Sequence, residues 1–210
     1  MRVLVACEYS GRVRRAFAKK GHEVYSCDLL PADDNSPKHI VGDALSIIYG
    51  SNWDLIIAHP PCTYLTSAAE WAYGPGPYHQ EVKPGTLVGE DRKVARIHAI
   101  TFFKQIWEAD CPKICIENPV GIMSRYIKPT QYIQPYEYGE DASKKTCLWL
   151  KGLPPLEPTK YVEPRIVNGK KRWGNQTDSG QNRMTPSASR GHDRSLTPQG
   201  WADAMALQWG

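Results

Sequence analysis

Five short apolar runs constrain the fold of this chain more than any other feature: Arg2–Cys7 (RVLVAC), Glu23–Cys27 (EVYSC), Asp54–Ala58 (DLIIA), Lys113–Ile116 (KICI) and Thr146–Leu150 (TCLWL). Each has the length of a strand and stops at a turn-forming or charged residue. Helical patterns lie between them. Gly11–Lys20 places Val13, Ala16 and Phe17 on one face, and Asp91–Ala109 places Val94, Ile97, Ile100, Thr101, Phe103, Ile106 and Trp107 at three-to-four spacing. Strands joined by helical crossovers predict a doubly wound, mostly parallel α/β sheet. Ligands of such sheets bind beyond the carboxyl ends of the strands, so the residues that follow each run are where chemistry is expected.

At 210 residues the chain has the size of one domain with a small appendage. Residues 1–150 hold the α/β pattern, 151–195 read as a basic, loop-rich lobe, and 196–210 recover a helix with Trp201, Ala204, Met205 and Gln208 in register. Charge divides in the same way. Residues 1–140 carry 15 Lys and Arg against 16 Asp and Glu, whereas 141–200 carry 11 against 5. That asymmetry points to an anionic partner, nucleic acid being the commonest. No run approaches the roughly 18 apolar residues of a membrane span, and the acidic Glu8 comes too early for a signal peptide, which predicts a soluble, cytoplasmic protein without a membrane partner. Six cysteines without a CxxC pair predict reduced thiols, and the scattered histidines predict no metal site.

Several residues stand at the strand ends. Cys7-Glu8-Tyr9-Ser10-Gly11 joins a strand to a helix whose amide donors can hold an anion, or forms an ordinary turn capped by Ser10. Asp28 follows the second strand about 20 residues later, where such folds bind ribose hydroxyls. Asp43 is placed as a ligand contact or a helix cap. The sharpest feature is His59-Pro60-Pro61-Cys62: two prolines fix the backbone that carries a thiol just beyond a buried strand, which suits a covalent nucleophile or a small residue in a tight turn. Glu117 ends the next run, and a carboxyl there that protonates a ring nitrogen requires a raised pKa.

His59-Pro60-Pro61-Cys62 and Glu117-Asn118-Pro119 together resemble the Pro-Pro-Cys and Glu-Asn-Val signatures of DNA cytosine-5 methyltransferases, in the family's order. The resemblance implies a Rossmann-like class I methyltransferase that transfers a methyl group from S-adenosyl-L-methionine to carbon 5 of cytosine in duplex or single-stranded DNA. Cys62 would be the nucleophile, Glu117 the acid at ring nitrogen 3, and Asn118 and Lys145 further catalytic residues. It implies cofactor contacts from Cys7, Glu8, Tyr9, Ser10, Gly11, Asp28, Leu29, Asp43, Ala44 and Pro60. Substrate contacts would come from Thr63, Tyr64, Lys144, Lys170, Lys171, Arg172, Arg183 and Arg190, with Trp173 and Tyr161 available for stacking. Tyr64–Pro77 is placed like the family's mobile loop. Pro119 stands where the family has valine, Lys144 and Lys145 stand roughly where it has an arginine-bearing element, and residues 151–195 are all that remains of a target recognition region. Such short members occur in phages, which leaves open a free pyrimidine nucleotide as substrate, or an inactive nucleic-acid-binding homologue.

Overall fold

The computed structural model describes residues 1–79, 81–184 and 190–210. A seven-stranded sheet runs through it, built from β1 (Arg2–Ala6), β2 (Glu23–Asp28), β3 (His39–Val41), β4 (Leu55–Ala58), β5 (Ile114–Pro119), β6 (Gln131–Ile133) and β7 (Thr146–Lys151). Their spatial order is β3-β2-β1-β4-β5-β7-β6. The first five are mutually parallel, and β7 enters antiparallel between β5 and β6. This is the Rossmann-like, mostly parallel α/β sheet that the alternating strands and helices predict. The order reverses between β1 and β4, which is where such sheets open a crevice for a ligand.

Strict alternation in the strands sends side chains to two cores. Val3, Val5, Leu55, Ile57, Cys115, Leu148 and Leu150 pack with Val13 and Phe17 of α1 (Arg12–Ala18) and with Trp201 and Met205 from the chain end. Leu4, Ile56, Ala58, Ile114, Ile116, Cys147 and Trp149 pack on the other face. That face is covered by α2 (Ala44–Tyr49) and by α3 (Gly89–Glu108), through Ile100, Phe103 and Ile106. The buried stripe of α3 is rotated from the one its periodicity predicts. Val94 and Ile97 are exposed, and Arg92 is buried in their stead, because the guanidinium is spent on the loop beyond β4.

The last third carries one hairpin within its loops. Strands β8 (Arg165–Val167) and β9 (Lys170–Arg172) pair antiparallel across Asn168-Gly169, both at positive φ as a tight hairpin turn requires. This lobe is pinned to the sheet domain: Trp173 stacks on Tyr136 at 4.0 Å between centroids, and Ser143 and Asn175 exchange hydrogen bonds of 2.9 Å. The short helix α4 (Arg190–Ser195) precedes α5 (Gln199–Gln208), which returns against α1. No helix among the described residues is long and apolar enough to cross a membrane.

Candidate active site

The two motif loops lie side by side because β4 and β5 are neighbours in the sheet. They are also stitched together. Asn118 Nδ2 donates to the Pro60 carbonyl at 2.7 Å, Ile122 N–H donates to the Leu65 carbonyl at 2.8 Å, and Thr66 bridges to Gly121. A Cβ on Gly121 would lie 2.0 Å from that same Leu65 oxygen, so glycine is what lets the two loops close. Cys62 stands exposed at the end of the double-proline segment, and all six cysteines are thiols.

Beneath the loops lies a buried acid–base pair. His59 Nδ1 and Glu117 Oε2 are 2.9 Å apart, with both side chains about nine-tenths buried. Burial pushes the Glu117 carboxyl up, but the hydrogen bond from His59 and the charge of Lys144 outweigh it and leave the group below its ordinary value. The raised pKa expected of Glu117 is therefore not present in the resting site; its partner His59 was not anticipated. A second carboxyl, Glu8, is buried and raised, chiefly by desolvation; His59 and the α1 amides oppose that shift.

The turn after β1 has two readings, an anion site or an ordinary turn capped by Ser10, and Ser10 Oγ does accept from Arg12 N–H at 3.4 Å. Glu8 accepts from the backbone N–H groups of Val13 (2.7 Å) and Arg14 (3.3 Å), so the first amides of α1 are already capped from within the protein. Gly11, at φ +67°, is crowded by the chain's own side chains rather than left clear for a ligand. Those side chains are Arg14 and Arg15, both ion-paired to Asp34 at 2.6 and 2.5 Å. Tyr9 turns away to Ser195 at 2.8 Å, and Ser10 faces Glu8.

Cys7, Asp28, Leu29, Asp43 and Ala44 do converge. They line a cavity of about 450 Å³ with Gly42, Pro61, Thr63 and Tyr64, and α3 closes it with Ala95, His98, Ala99 and Phe102. Pro61 rather than Pro60 reaches this wall. The α3 residues were not foreseen as cavity walls, although Ala95, Ala99 and Phe102 recur at helical spacing. Cys7 sits at φ +57°, a costly conformation for a residue with a Cβ, and its burial pushes the thiol up. Asp43 also caps α2 by accepting from Ser46 N–H at 2.8 Å.

Two arginines of α3 hold the segment that follows Cys62. Arg92 donates to the Thr63 carbonyl at 3.2 Å; Arg96 donates to the Tyr64 carbonyl at 2.9 Å and pairs with Glu70 at 2.5 Å. Within Tyr64–Pro77, the segment placed like the family's mobile loop, Ser67–Tyr73 are coiled into 3-10 turns, and Glu70 among them is held by Arg96. Of the two candidate lysines, Lys144 acts on Glu117, whereas Lys145 lies over Tyr132 at 4.4 Å. Lys170, Lys171 and Arg183 are exposed on the hairpin lobe, while Arg172 folds back onto the Asp178 and Lys171 carbonyls. Trp173 is buried in its stack and unavailable to a base, and Tyr161 stays half-exposed. The Arg190 side chain lies outside the described residues.

No family model and no curated protein matches the chain. Among solved structures it is similar to a triply substituted DNMT2 from Spodoptera frugiperda, at 16% identity over 81% of this chain and 57% of that one, with a TM-score of 0.40. It is also similar to an rRNA methylase from Escherichia coli, at 12% identity over 71% of this chain and 55% of that one, with a TM-score of 0.36. The chain spans little more than half the length of these structures. Its fold class rests on the strand order and pairing themselves: α/β, Rossmann-like and mostly parallel.

Proposed function

We propose that this chain is an S-adenosyl-L-methionine-dependent methyltransferase acting on carbon 5 of cytosine in DNA, through a covalent bond to Cys62. The observation that carries the reading is the stitching of the Cys62 loop to the Glu117 strand end beside the cavity of about 450 Å³. The cavity's chemistry fits the nucleoside half of the cofactor: Asp28 offers a carboxylate to the ribose hydroxyls, and Leu29, Ala44, Ala99 and Phe102 offer an apolar slot for the base. When bound, the cofactor supplies an electrophilic methyl group.

The chain's own residues do the rest. The Cys62 thiolate adds to carbon 6 of the ring while Glu117, carrying a proton, gives it to ring nitrogen 3, which makes carbon 5 nucleophilic. After methyl transfer, carbon 5 loses its proton to a solvent base, the Cys62–carbon 6 bond breaks to regenerate the thiolate, and ring nitrogen 3 returns its proton to Glu117. Pro60, Pro61, Arg92 and Arg96 keep the nucleophile loop in place, which is worth rate because reaction needs near-attack geometry. Duplex DNA would have to present its base flipped out of the stack. Lys170, Lys171 and Arg183 supply phosphate contacts from the exposed face of the lobe.

The test offers labelled cofactor with duplex DNA, single-stranded DNA or dCMP to the parent, Cys62→Ala and Glu117→Ala. Label should enter DNA with the parent and be lost with Cys62→Ala, and 5-fluorocytosine in the target should trap an adduct on Cys62. Absence of label in DNA, or a Cys62→Ala variant as active as the parent, refutes the proposal. Transfer to dCMP alone would assign a free nucleotide as substrate.

A further inference from the structure

His59 is a buried histidine with one ring nitrogen committed and one unspent. Nδ1 meets Glu117 Oε2 at 2.9 Å, while Nε2 is shielded from solvent and makes no hydrogen bond. With Nε2 closed off from solvent and from partners, Nδ1 is the nitrogen through which the ring can exchange a proton with Glu117. The surroundings are set by four charged groups on separate elements. Glu117 comes from β5, Glu8 from the turn after β1, Lys144 from the segment before β7, and Arg14 of α1 acts through Glu8. The backbone fixes the ring's position, since His59 N–H donates to the Ala6 carbonyl at 3.0 Å.

We propose that His59 is the proton store for Glu117: the pair shares the proton that Glu117 passes to ring nitrogen 3, and its titration sets the upper pH limit of methyl transfer. This rests on Glu117 acting as the ring acid, as proposed above. In the resting pair the shared proton lies between His59 Nδ1 and Glu117 Oε2, 2.9 Å apart. On substrate binding, the Nδ1–H bond breaks as an O–H bond forms on Glu117, and the imidazole is left neutral with its remaining proton on Nε2. Glu117 then gives up that O–H as an N–H bond forms at ring nitrogen 3 and Cys62 bonds to carbon 6. Elimination returns the proton by the same route. His59 touches no reacting atom and is a positioning residue that works through Glu117. Two such groups titrate as one unit.

The test compares the pH dependence of kcat in the parent and in His59→Gln, whose amide still donates a hydrogen bond to Glu117 but stores no proton. Parent kcat should fall as pH rises through the upper titration of the pair. In His59→Gln that limb should move at least about one pH unit toward acid, with kcat down about tenfold or more at pH 8 and recovering toward pH 6, in keeping with general acid catalysis. A loss that is equal at every pH, or no loss, overturns the proposal. Nitrogen-15 NMR of the histidine rings in the resting protein gives a second reading that needs no turnover. Glu117→Gln should shift the His59 titration toward acid, and an unchanged titration overturns the shared proton. Should the parent transfer no methyl group, the functional reading falls, and the NMR comparison still decides whether the pair shares a proton.

Discussion

Replacing Gly121 by alanine tests whether the two motif loops work as one unit. Gly121 is extended, at φ −175° and ψ −156°, so alanine is intrinsically welcome there and any cost must come from contact. The added Cβ would lie 2.0 Å from the Leu65 oxygen, 2.9 Å from its carbonyl carbon and 3.0 Å from Thr66 Cα. Backbone cannot swing aside as a side chain can, so the loops must separate by about 1 Å to restore a tolerable contact. That stretches the 2.8 Å bond from Ile122 N–H to the Leu65 carbonyl. Overpacking and a weakened buried hydrogen bond together cost about 2–4 kcal/mol, which lowers Tm by about 5–15 °C in a chain of this size. Because Cys62 and Glu117 are then displaced relative to each other, methyl transfer should fall about 100-fold even well below the melting range. Gly169→Ala is the matched control. It sits at φ +73° in the hairpin with nothing within 4 Å, so it should cost stability through backbone strain without touching kcat. Thermal melts and methyl-transfer kinetics on the three proteins read both quantities. A Gly121→Ala protein with parental Tm and kcat would show that the loops are not held by this contact.

Three further outcomes follow from the site. Asp28→Ala should weaken S-adenosyl-L-methionine binding by about 10- to 100-fold in calorimetry, since a charged acceptor is lost while the fold stays intact. The double substitution Lys170→Glu and Lys171→Glu should weaken DNA binding and make the slope of log affinity against log salt shallower by about two, with cofactor affinity unchanged. Glu8 has a raised folded pKa, so its contribution to stability is full below the ordinary carboxyl range and is lost as pH rises through the folded value. In urea titrations the parent should therefore lose stability relative to Glu8→Gln as pH rises from about 4 toward neutrality, and a constant difference would contradict this.

Five strands of the seven-stranded sheet, the sheet class and about half of the cavity are legible in the residues alone, because short apolar runs need only local information, whereas β3 and β6 are three residues each and carry no such run. Asp28 and Asp43 could be placed for the same reason: each directly follows a recognisable element. What escapes is set by partners distant in sequence. The face that α3 buries is decided by carbonyls at Thr63 and Tyr64, to which Arg92 and Arg96 donate, and no periodicity reports that. Glu8 is four residues from the start of α1 in sequence and could only be seen as its cap once the chain was folded. His59 enters the sequence reading only as the first residue of His-Pro-Pro-Cys; its contact with Glu117 comes from β4 and β5 being neighbours. The hairpin at Asn168-Gly169 did carry a signal, the Asn-Gly pair, but its flanks are too basic and too short to stand out as strands.

The internal cap on α1 has a consequence for what the crevice admits. Helix amino termini in sheets of this kind hold diphosphates through bare amides, and here Glu8 fills that position with a negative charge of the protein's own whenever it is ionised. A nucleotide bearing phosphates would meet no spare donors at that turn and would face Asp28 and Asp43 in the adjoining cavity. A ligand with a positive sulfonium and no phosphate meets the opposite field. If the crevice holds the proposed cofactor, a nucleotide bearing phosphates should bind it more weakly than a phosphate-free, cationic nucleoside, because Glu8 already occupies the first α1 amides.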